Sequence, residues 1–157
     1  MKNKTWSVCF LAITAVCLGC IGGMTALIDP FFHYHAPLDA LNYQIHDQRY
    51  QNDGIVKHFE YDAILTGTSV TENFKTSQFD ALFNAHAVKV PFAGGSFKEI
   101  NDNLSRALEA NSEIRYIVRS LDTYKILADK DQMEEDFYYP TYLYDDRLLN
   151  DAAYLLK

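Results

Sequence analysis

The longest apolar run opens the chain: Thr5 to Ile28 is 24 residues without a charge, preceded by Lys2 and Lys4. At ~1.5 Å per residue, a helix of that length crosses a hydrocarbon core of ~30 Å, so the pattern predicts one transmembrane helix. Beyond it the apolar runs are short. Tyr61, Ala63, Ile64 and Leu65 make a strand-length run that stops at Gly67, and the segments 86–92 (HAVKVPF) and 115–121 (RYIVRSL) repeat that form. Between them, Thr76 to Asn84 and Ser96 to Ala110 read as helices. The second has Phe97, Ile100, Leu104, Ala107 and Leu108 at helical spacing, and Ser96 with Glu99 spells a capping box. A final helix is expected from about Asp145, with Leu148, Leu149, Ala152, Leu155 and Leu156 as its apolar face.

Strands alternating with helices predict an α/β fold: a three-layer, mostly parallel sheet flanked by helices, whose loops gather on one edge. The chain divides into an anchor (1–28), a juxtamembrane linker (29–59) and an α/β domain (60–157). No internal repeat or low-complexity tract interrupts it.

Candidate chemistry sits where the strands stop. Gly67 frees the backbone for a tight turn, and Thr68-Ser69 follow at once, placing a hydroxyl just past the carboxyl end of a strand, where open α/β sheets put their chemistry. Small polar residues there also serve as turns and caps. The second strand ends in Ala93-Gly94-Gly95-Ser96 and the third in Asp122. Ser96 is read as a helix cap, not as a second nucleophile.

Quoted together as TGTSVTEN, PFAGGSFKEIND and VRSLD, these three blocks resemble the SGNH/GDSL hydrolase superfamily. Within it, they look most like the membrane-anchored, extracytoplasmic bacterial members, some of which transfer acyl groups on cell-envelope polymers. The resemblance spans about Tyr61 to Asp122 and implies a flavodoxin-like sheet. It implies Ser69 as nucleophile and the backbone N–H of Gly94 or Gly95 as oxyanion donor. Its third block normally supplies an asparagine, and here that position is Asp122. The family's Asp and His come from a D-x-x-H segment, which this sequence does not contain. A serine hydroxyl without a neighbouring base is a poor nucleophile. About five strands are needed for such a fold, and three are found before the sequence stops inside a helical pattern. The chain therefore reads as the amino-terminal, catalytically inactive part of a longer protein.

Charge and cysteine usage narrow the setting. All 21 acidic residues, but only 12 of the 14 basic ones, lie from Asp29 onward, a net charge of −9 there. Such a surface argues against nucleic acid and against docking on anionic lipid. By the positive-inside rule Lys2 and Lys4 stay cytoplasmic and the rest lies outside. A cleaved signal peptide competes, but no small-x-small site follows the apolar run. The CLGC segment (17–20) lacks the leucine of a lipoprotein box at Cys17. Cys9, Cys17 and Cys20 all fall within the anchor, so the remainder has neither disulfides nor thiolate ligands.

The linker contributes aromatics suited to a membrane interface (Phe31, Phe32, Tyr34) and a polar cluster, Gln48, Arg49, Tyr50, Asn52 and Asp53, expected to pack over the sheet edge. His33 and His35 alternate as on one side of an extended segment, but a metal site needs a third ligand. No metal and no cofactor is expected. Asp129 to Asp136 (DKDQMEED) reads as a solvated loop or helix start, since calcium-loop spacing is missing. The rings of FYYPTYLYDD (137–146) would stack on a sugar or pack on a partner element. Two functions stay open: an extracytoplasmic serine esterase or acyltransferase acting on an envelope polymer or acyl donor, or a membrane-anchored module that binds envelope polymer without catalysis.

Overall fold

The computed structural model describes residues 2–45, 47–123, 125–127, 139–145 and 147–156. The acidic stretch 129–136 and part of the aromatic run lie outside them. The protein is α/β: helix α1 (Lys2–Ile28), helix α2 (Gln48–His58), strand β1 (Ala63–Gly67), helix α3 (Thr76–Phe83), strand β2 (Ala87–Pro91), helix α4 (Phe97–Ala110), strand β3 (Tyr116–Arg119) and a short helix α5 (Ala152–Leu155). Helix α1 is long and apolar enough to cross a membrane over Lys4–Ile28.

The three strands form one parallel sheet in the order β2-β1-β3, with Ala63 opposite both Ala87 and Tyr116. Central β1 is buried throughout, as its unbroken apolar run requires. Alternate residues feed two faces. Ile64, Val88 and Val90 join Ile55, Val56 and Phe32 on the α2/α4 side, whereas Ala63, Leu65 and Ala87 meet Phe79 of α3 on the other. At the amino edge, Asp62 ties the strands together. Its carboxylate accepts the His86 N–H at 2.7 Å and bonds the Arg115 guanidinium, contacts that hold its carboxyl below the usual range.

The largest departure from the sequence pattern is α2, where no element was expected. Eight of its eleven residues carry polar or charged side chains, and residues 49–56 are nevertheless buried, packed against α4 and β2. Polar identity hid the helix, because its inward face is held by ion pairs and hydrogen bonds instead of apolar contact. Gly54 is required on that face: a Cβ there would run into the backbone carbonyl of Phe32.

That close approach seats the juxtamembrane turn. Asp29, fully buried and with positive φ, accepts the backbone N–H groups of His33 (2.9 Å), Tyr34 (2.7 Å) and His35 (2.9 Å), and also the Tyr154 hydroxyl. Tyr34 in turn donates to Asp151 at 2.9 Å. The carboxyl-terminal segment thus folds back on the turn, and α5 contacts α1. A long final helix does not form. Leu148 and Leu149 lie in a single 3₁₀ turn and are 77% and 99% exposed, while Tyr154 supplies the buried contact.

Candidate functional site

Because all three strands are parallel, their carboxyl ends meet on one edge, and the three sequence blocks come together there. Gly67 ends β1 with φ +138°, and the chain enters a 3₁₀ turn, Ser69–Asn73. That φ is one L side chains rarely adopt, and a Cβ would strike the Ser120 hydroxyl. Thr71 Oγ1 donates to Thr66 O (3.0 Å) and lies 3.0 Å from Ser120 Oγ, which fixes the turn against β3. Ser69, at the head of this turn, is exposed, and among the described residues its hydroxyl makes no hydrogen bond.

The glycine loop after β2 is held from beneath by α2. Gln48 Oε1 accepts the Ala93 N–H at 2.6 Å, and Arg49 Nη1 donates to Ala93 O at 3.1 Å. Arg49 also forms a two-pronged pair with Glu99, Nε to Oε1 at 2.7 Å and Nη2 to Oε2 at 3.2 Å. Glu99 Oε2 closes the capping box on the Ser96 N–H. The polar cluster of the linker is therefore the support of the glycine loop. Asn52 adds a 2.6 Å bond to Pro91 O, the last residue of β2. Of the two glycines, Gly95 spends its N–H on Phe92 O at 2.8 Å. Among the described residues the Gly94 N–H is not engaged, so Gly94 is the one able to donate to a ligand.

The third block contributes Asp122, whose carboxylate accepts the Thr68 hydroxyl. It is an acceptor where an oxyanion needs donors. Two cations stand nearby. Lys125 Nζ donates to Gly94 O at 3.0 Å, and Arg119 stacks its guanidinium over Phe97 at 4.8 Å. Burial holds the Arg119 pKa below its ordinary value. A small cavity among Thr68, Gly95, Arg119, Ser120, Asp122 and Lys125 marks the centre of the edge.

No protein-family model matches the chain, and no curated protein or solved structure matches it. The site rests on its own geometry.

Among the described residues no histidine stands at this edge, and His46 lies outside them. His86 begins at the opposite edge of the sheet, beside Asp62, and His58 Nε2 lies 3.3 Å from His33 O. His33 Nε2 faces Asp151 Oδ1 at 3.4 Å, and His35 Nδ1 lies 2.6 Å from Ala36 O. The two alternating histidines thus serve separate contacts. Among the described residues no three His, Cys, Asp or Glu are grouped to hold a metal ion. Sequence reasoning missed Arg119, although the pattern held a signal. It shares a strand face with Ile117, two residues earlier, and so points a charge toward α4.

Proposed function

We propose that the protein is a membrane-anchored, extracytoplasmic SGNH-like serine esterase or acyltransferase that acts on a cell-envelope polymer. The observation that carries this reading is the convergence of Thr68-Ser69, Gly94-Gly95 and Ser120 to Asp122 on one carboxyl edge. Support comes from the strand order, which is the 2-1-3 beginning of a flavodoxin-like sheet. In the reaction, Ser69 Oγ attacks an acyl carbonyl while the N–H groups of Ser69 and Gly94 stabilise the oxyanion. The proton of Ser69 needs a base that the described histidines do not provide. The helix α1 holds the domain at the outer membrane face, with Lys2 and Lys4 inside.

The test uses a fluorophosphonate probe on the full chain in detergent. The 157-residue protein alone is expected to resist labelling. The same protein followed by a segment bearing D-x-x-H is expected to be labelled, and Ser69→Ala to abolish it; a triad member is worth ~10⁴-fold or more in rate. A folded, D-x-x-H-bearing protein that resists the probe would replace this reading with the second one, a non-catalytic envelope-binding module. The exposed, unpartnered state of the Ser69 hydroxyl is what favours that alternative.

A further inference from the structure

The interior of the protein is economical with its polar groups, so the exceptions are informative. Among the described residues, the buried side-chain atoms without a hydrogen-bond partner belong to Asn103, Arg119 and Asp151. Arg119 differs from the other two in carrying a cation and in lining, with Thr68 and Asp122, the cavity at the carboxyl edge of the sheet. Its Nη1 is used, on Asn101 Oδ1 at 2.5 Å. The Nε and Nη2 atoms are shut off from solvent and meet no acceptor. These two N–H groups lie along one edge of the planar guanidinium, the arrangement that grips a carboxylate or phosphate through two parallel bonds.

Three further facts agree. The cavity that Arg119 lines is about 10 Å³, room for one oxygen of water size and not for an apolar group. Asp122 is occupied by the Thr68 hydroxyl and makes no ion pair with Arg119. The guanidinium is also fixed in place, clamped between Asn101 and the Phe97 ring, so its free edge is pre-organised.

We propose that the Nε and Nη2 edge of Arg119 is a binding site for an anionic oxygen of the substrate, from a carboxylate or a phosphate group, at the cavity that Thr68, the residue before Ser69, also lines. One oxygen enters the cavity and the rest of the anionic group stands in the open cleft. The substrate class this adds is an acidic one, such as a polymer unit or acyl carrier bearing a phosphate or carboxylate near the reacting carbonyl. The role as substrate site rests on the acyl-transfer reading. The anion binding itself does not, since Ser69 contributes nothing to it.

The experiment is a titration of the full chain in detergent with inorganic phosphate and, separately, acetate at constant ionic strength. It is followed by the arginine Nε–H resonances in ¹⁵N NMR. One Nε–H signal, absent from Arg119→Lys, should shift saturably, and phosphate against acetate tells which oxyanion the site prefers. Arg119→Gln should weaken binding about ten- to hundredfold, the worth of charge-assisted hydrogen bonds. Ser69→Ala should bind as wild type. Should Arg119→Gln fail to fold, the wild-type signal assigned through Arg119→Lys still decides. The proposal is overturned if neither anion shifts the Arg119 signal, or if Arg119→Gln binds as tightly as wild type. Anion binding in a protein whose Ser69 is never labelled, even with D-x-x-H supplied, would remove the esterase reading and leave this site standing.

Discussion

The seam between α2 and α4 and the carboxyl edge of the sheet are both rich in charge, yet they treat it in opposite ways. In the seam, Arg49 grips Glu99, and Asp53 is shared by Arg106 and Lys57, the latter at 2.8 Å. At the edge, Arg119 keeps two buried N–H groups unanswered, and the Ser69 hydroxyl stands open. Burying a charge costs several kcal/mol unless partners repay it. Paired charge in the seam therefore marks structure, and unpaired charge at the edge marks a place kept for something that binds.

The seam is the easier side to break. Glu99→Ala leaves Arg49 buried without its carboxylate and removes the capping-box contact to Ser96, so about 3–5 kcal/mol should be lost in denaturant unfolding. Replacing both members together, Arg49→Met with Glu99→Leu, should recover much of that loss. Alkali attacks the same half of the molecule next. Burial pushes the Tyr61 hydroxyl from its ordinary 10.0 up to about 12, so the unfolded chain loses that proton first. The contribution is complete below about pH 10 and is lost as pH rises toward 12, on the order of 2 kcal/mol in a pH series of melts. Tyr34, Tyr144 and Tyr154 are shifted upward by burial as well and act in the same direction.

Asn103 sharpens the comparison, because it is the seam's own exception. It is fully buried with both amide atoms unpaired. Without charge and away from the cleft, it should behave as a structural defect, and Asn103→Leu should raise stability by about 1 kcal/mol. The smallest effect is expected at the edge. Ser69→Ala removes an exposed hydroxyl with no partner and should change stability by less than about 0.5 kcal/mol, measured in the same unfolding experiment.

The legible part of this molecule was the part built from apolar periodicity. Ile64 and Leu65, Val88 and Val90, and the stripe Ile100, Leu104 and Ala107 announced β1, β2 and α4, because those side chains face the core at periods of two and 3.6, whereas Leu108 of the same expected stripe is exposed. Ser69, the glycine pair and Asp122 were legible as strand ends, and parallel pairing does bring them to one edge. Helix α2 was not legible. Its inward residues are Arg49, Asn52 and Asp53, whose partners Glu99, Pro91 and Arg106 lie roughly 40 to 50 positions away, and no local pattern encodes such pairing. The leucines at 148 and 149 misled in the other direction, since apolar spacing implied a buried face and the backbone turns them outward. Arg119 needed the register of β3 against β1 before its position at the cleft could be known.

The contrast between paired and unpaired charge is tested most directly by the melting temperature of Arg119→Gln, with and without inorganic phosphate, beside wild type. Removing a half-buried cation two of whose N–H groups meet no acceptor should leave the phosphate-free melting temperature equal to wild type or higher. Phosphate should raise the wild-type value, as any ligand of the folded state does, and leave the variant where it was. A variant that melts far below wild type without phosphate, as Glu99→Ala should, or that phosphate stabilises as much as wild type, would contradict the account.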